Sequence, residues 1–150
     1  MTNTLKSSFT AVLLLAASGL AQAGFWADPA PEQQQFLPVD EAFELYPVLL
    51  QDGQLELQWR IAPGHYLYQF RLRLEVIEPA AAAVEPVQWP SGLPYHDEHF
   101  GDVQIYRDAL RVQIPAGQPA PTKLKVHYQG CADAGICYPP QQRIVEVEAL

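Results

Sequence analysis

An all-β fold, an antiparallel sandwich of many short strands, is predicted by three observations. Prolines are scattered from Pro29 to Pro140, so the chain offers no long segment with the unbroken apolar period of a helix. Apolar and polar residues alternate with period two over several stretches. Turn signals recur between those stretches at short intervals, as they do in two-sheet β proteins. A closed barrel fits the same pattern, because alternation does not reveal how a sheet ends.

Met1 to Ala23 hold one lysine and no acid, then an apolar run from Ala11 to Leu20, then the small-residue site Ala21-Gln22-Ala23. That order reads as a secretory signal peptide. The run falls well short of the roughly 20 apolar residues a membrane span needs. The mature chain is therefore expected to begin near Gly24, to be soluble, and to enter an oxidising compartment where cysteines pair. Gly24 to Gln35 show no periodicity and read as a loose arm, leaving one domain over 36–150. Loss of Lys6 leaves 8 basic against 17 acidic residues, a net charge of −9. Such a surface repels phosphate backbones and anionic membranes, so no nucleic-acid partner is expected. It suits a protein partner with a basic or neutral face.

The first clear strand is Leu55 to Ile61, in which Leu55, Leu57, Trp59 and Ile61 alternate with Glu56, Gln58 and Arg60. Gln51-Asp52-Gly53 precedes it as a turn and Pro63-Gly64 closes it. From Tyr66 to Val76 every even position is apolar or aromatic, which predicts one long strand with a buried even face. The Ala- and Pro-rich stretch from Pro79 to Pro86 reads as a surface connection. Further strands are predicted at Val103–Tyr106, Leu110–Ile114, Leu124–Tyr128 and Ile144–Val147, separated by turns. His65 and His127 read as ordinary strand residues.

The two cysteines, Cys131 and Cys137, lie six positions apart between predicted strands, a spacing that suits a bridge across the mouth of a hairpin. Closing so short a loop stabilises a fold by only about 2 to 2.5 kcal/mol, a modest return for a purely structural staple. Even so, spacing alone leaves a structural bridge in a non-enzymatic secreted binding sandwich fully open. Nearby acids, Asp133 in the loop and Asp97 and Glu98 if they fold close, would disfavour a thiolate and make a reduced pair a slow nucleophile. A metal set is a further rival, since His96 and His99 lie three apart and could join the cysteines as four ligands. No phosphate-binding glycine loop, hydrolase triad or basic aromatic stripe is present.

The run Tyr128 to Pro140, YQGCADAGICYPP, is the most informative stretch. Gly64 to Tyr68 (GHYLY) and Tyr95 to Asp108, with Asp97-Glu98 and Ile105 to Asp108, accompany it in order. Together they closely resemble the N-terminal periplasmic domain of the DsbD-type thiol:disulfide interchange proteins. Phe36 to Phe43 resembles that family's opening strand. The resemblance implies an immunoglobulin-like antiparallel β-sandwich whose cysteine pair relays electrons in the periplasm without a cofactor or metal. It implies a thioredoxin-like electron donor domain, and disulfide isomerases and a cytochrome c maturation thioredoxin as clients. A relay that alternates between such partners is expected to be monomeric.

Carried onto this chain, the resemblance makes Cys137 the residue that forms the mixed disulfide and Cys131 its resolving partner. It places a protective cap loop at Asp97, Glu98, His99, Phe100 and Gly101, and it sets Tyr66 and Tyr68 beside the cysteines, where strand periodicity alone would put them in the core. Aligned without gaps, the family's capping phenylalanine falls on His99, with Phe100 next to it, and either ring is a candidate cover. A histidine cap is more polar and of a type that titrates near neutral pH, so shielding is expected to vary with pH. Tyr138-Pro139-Pro140 is expected to stiffen the exit from the hairpin.

Overall fold

Alternate apolar residues become buried faces along most of the chain. The computed structural model describes residues 36–150; the signal peptide expected at 1–23 and the arm expected at 24–35 lie outside the described residues. A single helical turn, α1 (Val39–Ala42), precedes β1 (Phe43–Leu45), β2 (Val48–Gln51), β3 (Gln54–Ile61) and β4 (His65–Tyr68). A 3-10 turn at Gln69–Arg71 leads to β5 (Arg73–Glu78), β6 (Leu93–Asp97), β7 (Gly101–Tyr106) and β8 (Ala109–Pro115). β9 (Lys123–Tyr128), β10 (Gly130–Ala132), β11 (Ile136–Cys137) and β12 (Gln141–Ala149) complete the order.

The strands form a seven-stranded and a five-stranded sheet. In the larger one β3 pairs antiparallel with β8 on one edge and with β1 and β2 on the other. β2 also runs parallel to β12, which continues to β9 and then β5. β2 thus joins two wings, and their inward residues meet in one core: Leu55, Leu57, Trp59 and Ile61 of β3, Leu110, Val112 and Ile114 of β8, and Leu124, Val126 and Tyr128 of β9. The smaller sheet, ordered β11-β10-β4-β7-β6, carries the cysteines at one edge. Between them the sheets make the sandwich that the alternation predicts.

Two local expectations are corrected. The long strand predicted from Tyr66 to Val76 is two strands in different sheets, β4 and β5, separated by the 3-10 turn. Period-two alternation persists through the turn, but Phe70 is 50 % exposed while Tyr68 is fully buried. β4 lies between β10 and β7 and is buried on both faces, so alternation there does not separate core from solvent. The opening strand expected at Phe36–Phe43 is also displaced. Val39–Ala42 turn helically, with the Glu41 and Ala42 amides donating to Pro38 O, and the strand begins at Phe43.

Candidate active site

The cysteines occupy directly opposed positions of the β10–β11 hairpin, Cys131 facing Cys137 with Cα atoms 3.9 Å apart, and they are joined as a disulfide. β10 is pressed against β4 in the register Gly130↔Leu67, Cys131↔Tyr66 and Ala132↔His65. Gly130 makes this approach possible: a Cβ there would lie 2.2 Å from Tyr66 O and 2.5 Å from Phe43 Cζ. β11 is the sheet edge. The two sulfur-bearing residues therefore differ sharply: Cys131 is 1 % exposed, whereas Cys137 stands open to solvent.

A second hydrophobic cluster surrounds the buried sulfur, formed by Tyr66, Tyr68, Ile105 and Cys131 with Tyr95 and Val103 against it. The Tyr68 hydroxyl oxygen lies 3.3 Å from Cys131 Sγ and donates its proton to Asp97 Oδ2. The other oxygen of this buried carboxylate, Oδ1, accepts from the His99 amide at 2.8 Å and the Phe100 amide at 3.0 Å. One side chain therefore folds the tip of the β6–β7 hairpin and fastens that tip to the cysteine cluster. Burial pushes the Asp97 carboxyl up, but donation from the Tyr68 hydroxyl and the two amides outweighs it and holds the group below the usual carboxylate range. Burial first, and then the bond to Asp97, push the Tyr68 hydroxyl up to about 12. Burial, helped by Tyr68 and Tyr95, raises Tyr66 further still.

The two candidate cap rings take different places. Phe100 packs on Tyr68 and Phe70, with centroids 5.4 and 5.2 Å away. His99 instead lines a depression of about 160 Å³ with Cys137, Tyr66, Asp97 and Asp133. Glu98 is exposed, and Gly101, at φ +72°, reverses the chain into β7. Arg107 grips Asp133 through two hydrogen bonds of 2.8 and 2.9 Å while lying 5.0 Å over the Tyr66 ring. The guanidinium holds the Asp133 carboxyl low and offsets the one acid inside the cysteine loop. Arg107 was legible only as part of a matching segment; its distance from the cysteines in sequence hides its role.

The four-ligand metal arrangement does not assemble: both sulfurs are consumed in the disulfide, and His96, on β6, is paired with Asp102 at 2.7 Å. His65 is a core residue, its Nδ1 2.9 Å from Pro63 O and its ring edge-on to Phe43. Tyr138 donates to Leu37 O at 2.8 Å and packs on Phe43, anchoring the hairpin exit.

Comparison with known proteins agrees with this geometry. Residues 33–149 match the family model described as the N-terminal part of thiol:disulfide interchange protein DsbD. Thiol:disulfide interchange protein DsbD 2 of Pseudomonas aeruginosa is 44 % identical over 140 residues, covering 91 % of this chain and 23 % of that protein. DsbD of Escherichia coli O157:H7 is 41 % identical over 143 residues, covering 95 % and 24 %. The chain thus spans about a quarter of the length of these curated relatives. The crystal structure of the Neisseria meningitidis DsbD N-terminal domain in its reduced form superposes with a TM-score of 0.65 at 29 % identity, over 75 % of this chain and 90 % of that one. The same Neisseria domain in complex with the PilB N-terminal domain gives a TM-score of 0.64 at 30 % identity, over 75 % and 87 %. Both the immunoglobulin-like sandwich and the cysteine hairpin are thereby accounted for, and the chain belongs to the family of N-terminal domains of the thiol:disulfide interchange protein DsbD.

Proposed function

We propose that this chain is exported to the periplasm and relays electrons by thiol–disulfide exchange, taking them from a thioredoxin-like domain and passing them to oxidised partners such as disulfide isomerases and a cytochrome c maturation thioredoxin. The observation that carries the reading is the asymmetry of the bridge: an exposed Cys137 on an edge strand, bonded to a Cys131 sealed among tyrosines. An incoming thiolate attacks the accessible Cys137 sulfur, the S–S bond breaks, and Cys131 leaves as a thiolate and takes up a proton. The donor's second thiolate then attacks the mixed disulfide and releases Cys137, so that two electrons have passed and the donor is oxidised. Delivery to a client is the reverse, with Cys137 attacking and Cys131 resolving. Once reduced, Cys131 can donate its thiol proton to the Tyr68 oxygen, whose own proton is donated to the anionic Asp97. That chain favours the thiol form of Cys131 and leaves Cys137 as the nucleophile.

Trapping tests the relay and the two roles together. Cys131→Ser and Cys137→Ser are each offered a single-cysteine N-terminal domain of PilB, the protein seen with the Neisseria relative, activated as a mixed disulfide with a good leaving group. Cys131→Ser should form the covalent complex readily through Cys137, and Cys137→Ser should form it poorly. Equal trapping would remove the role assignment; no trapping, together with a wild-type disulfide inert to reduced thioredoxin-like proteins, would make the bridge structural.

The cap is read as Asp97 to Gly101 with His99 as the residue beside the exposed sulfur, which its place in the Cys137 depression supports. Reduction of the disulfide by dithiothreitol at a fixed pH should be faster in His99→Ala than in the wild type, because the smaller side chain uncovers the depression beside the Cys137 sulfur. An unchanged rate would end the histidine-cap idea.

A further inference from the structure

Seven of the 8 Lys and Arg residues remaining after Lys6 have a carboxylate within salt-bridge distance: Arg60, Arg73, Arg107, Arg111, Lys123, Lys125 and Arg143. Arg71 alone among the described residues has none. It is exposed, and its guanidinium instead rests on two aromatic faces, 4.9 Å from the centroid of Phe70 and 5.1 Å from that of Phe100. Phe70 and Phe100 are themselves 50 % and 41 % exposed, so the platform is open. It also stands at the site: Phe100 belongs to the hairpin tip tied down by Asp97 and packs on Tyr68, the residue touching Cys131. Beside Arg71 lies a groove of about 260 Å³ lined by Phe70, Arg73, His127 and Gln142 and by no Asp or Glu. Arg73 and His127 there are both engaged by Glu75, which leaves Arg71 as the groove's uncommitted charge.

An unpaired guanidinium on an aromatic shelf has its flat fork held in place and its donors free, the form in which arginine binds a carboxylate bidentately. On a chain of net charge −8, it is also a local positive mark that can set the orientation of an approaching partner. We propose that Arg71, on the Phe70–Phe100 shelf, is a docking contact that pairs with an acidic side chain next to the cysteine motif of the thioredoxin-like partner. This assignment rests on the relay reading above. The aromatic rings supply an apolar floor and Arg71 supplies the register that brings the partner's sulfur over Cys137.

The test compares Arg71→Glu with Arg111→Glu, an equal charge change at an exposed position of β8. The rate at which the reduced chain reduces the oxidised PilB N-terminal domain is measured against ionic strength. Reduction of the small neutral hydroxyethyl disulfide is measured in parallel. Arg71→Glu should slow the protein partner on the order of tenfold at low salt, the difference shrinking below about twofold near 1 M salt, with Arg111→Glu close to wild type. The small-disulfide rate should stay within about twofold, since a docking contact does not act on it. Lysine placed in turn at each Asp and Glu adjoining the partner's cysteine motif should, at one position, restore the rate with Arg71→Glu and slow the wild type. Equal slowing by the two variants, a parallel change in both substrates, or no restoring position would each overturn the assignment. A wild-type chain that fails to reduce the partner at any salt, yet reacts with the small disulfide, would instead bring down the relay reading itself.

Discussion

Asp97→Ala is expected to raise the rate at which dithiothreitol reduces the Cys131–Cys137 disulfide on the order of tenfold, and to destabilise the fold by about 3 kcal/mol. The carboxylate accepts three hydrogen bonds, from the Tyr68 hydroxyl and the His99 and Phe100 amides. Hydrogen bonds to a charged group contribute about 1.5 to 3 kcal/mol each, and part is recovered when water reaches the freed amides. About 1.4 kcal/mol lost from the closed hairpin tip already gives a tenfold rise in the open population. Chemical denaturation and stopped-flow reduction read the two effects separately, and an unchanged reduction rate would show that the tip does not guard the sulfurs. The stability effect has a definite pH signature. Folding holds the Asp97 carboxyl below its ordinary value, so the unfolded chain takes up the proton first as pH falls. The stabilisation is complete above the ordinary carboxylate range and is lost as pH drops through the depressed folded value, so the wild-type and Asp97→Ala stability curves should converge in acid.

Gly130→Ala is expected to cost at least about 3 kcal/mol and to lower the melting temperature by more than about 10 °C. The added methyl would sit 2.2 Å from a backbone oxygen of β4 and 2.5 Å from the buried Phe43 ring. Neither can yield easily: the oxygen belongs to a strand paired on both sides, and Phe43 is wedged against His65, Tyr128 and Tyr138. Relief therefore requires β10 to lift from β4, which would carry Cys131 out of its tyrosine cluster. Ala134→Gly, in the exposed turn of the same hairpin, is the companion variant and should shift the melting temperature by less than about 3 °C. Near-normal stability of Gly130→Ala would mean that β10 is not held as tightly as the register implies.

The strand content, the boundaries of β3, β8 and β9, and the pairing of Cys131 with Cys137 were all legible in the sequence, because each rests on short-range regularities. Alternation reports a face wherever one side of a strand meets solvent, and the thirteen residues from Tyr128 to Pro140 contain the whole β10–β11 hairpin, whose bridge is local. The same regularity misled from Tyr66 to Val76, where β4 is enclosed on both faces and the even pattern runs through a turn into another sheet. Only the tertiary structure decided which cysteine is sealed, since that depends on β10 lying inside the sheet and β11 at its edge. It alone joined Tyr68, Asp97 and Cys131, which are 29 and 63 positions from Tyr68 along the chain. It alone separated His99 from Phe100 and, among the described residues, left Arg71 without an acid, because which side chains meet across strands and turns is set by register, which composition does not encode.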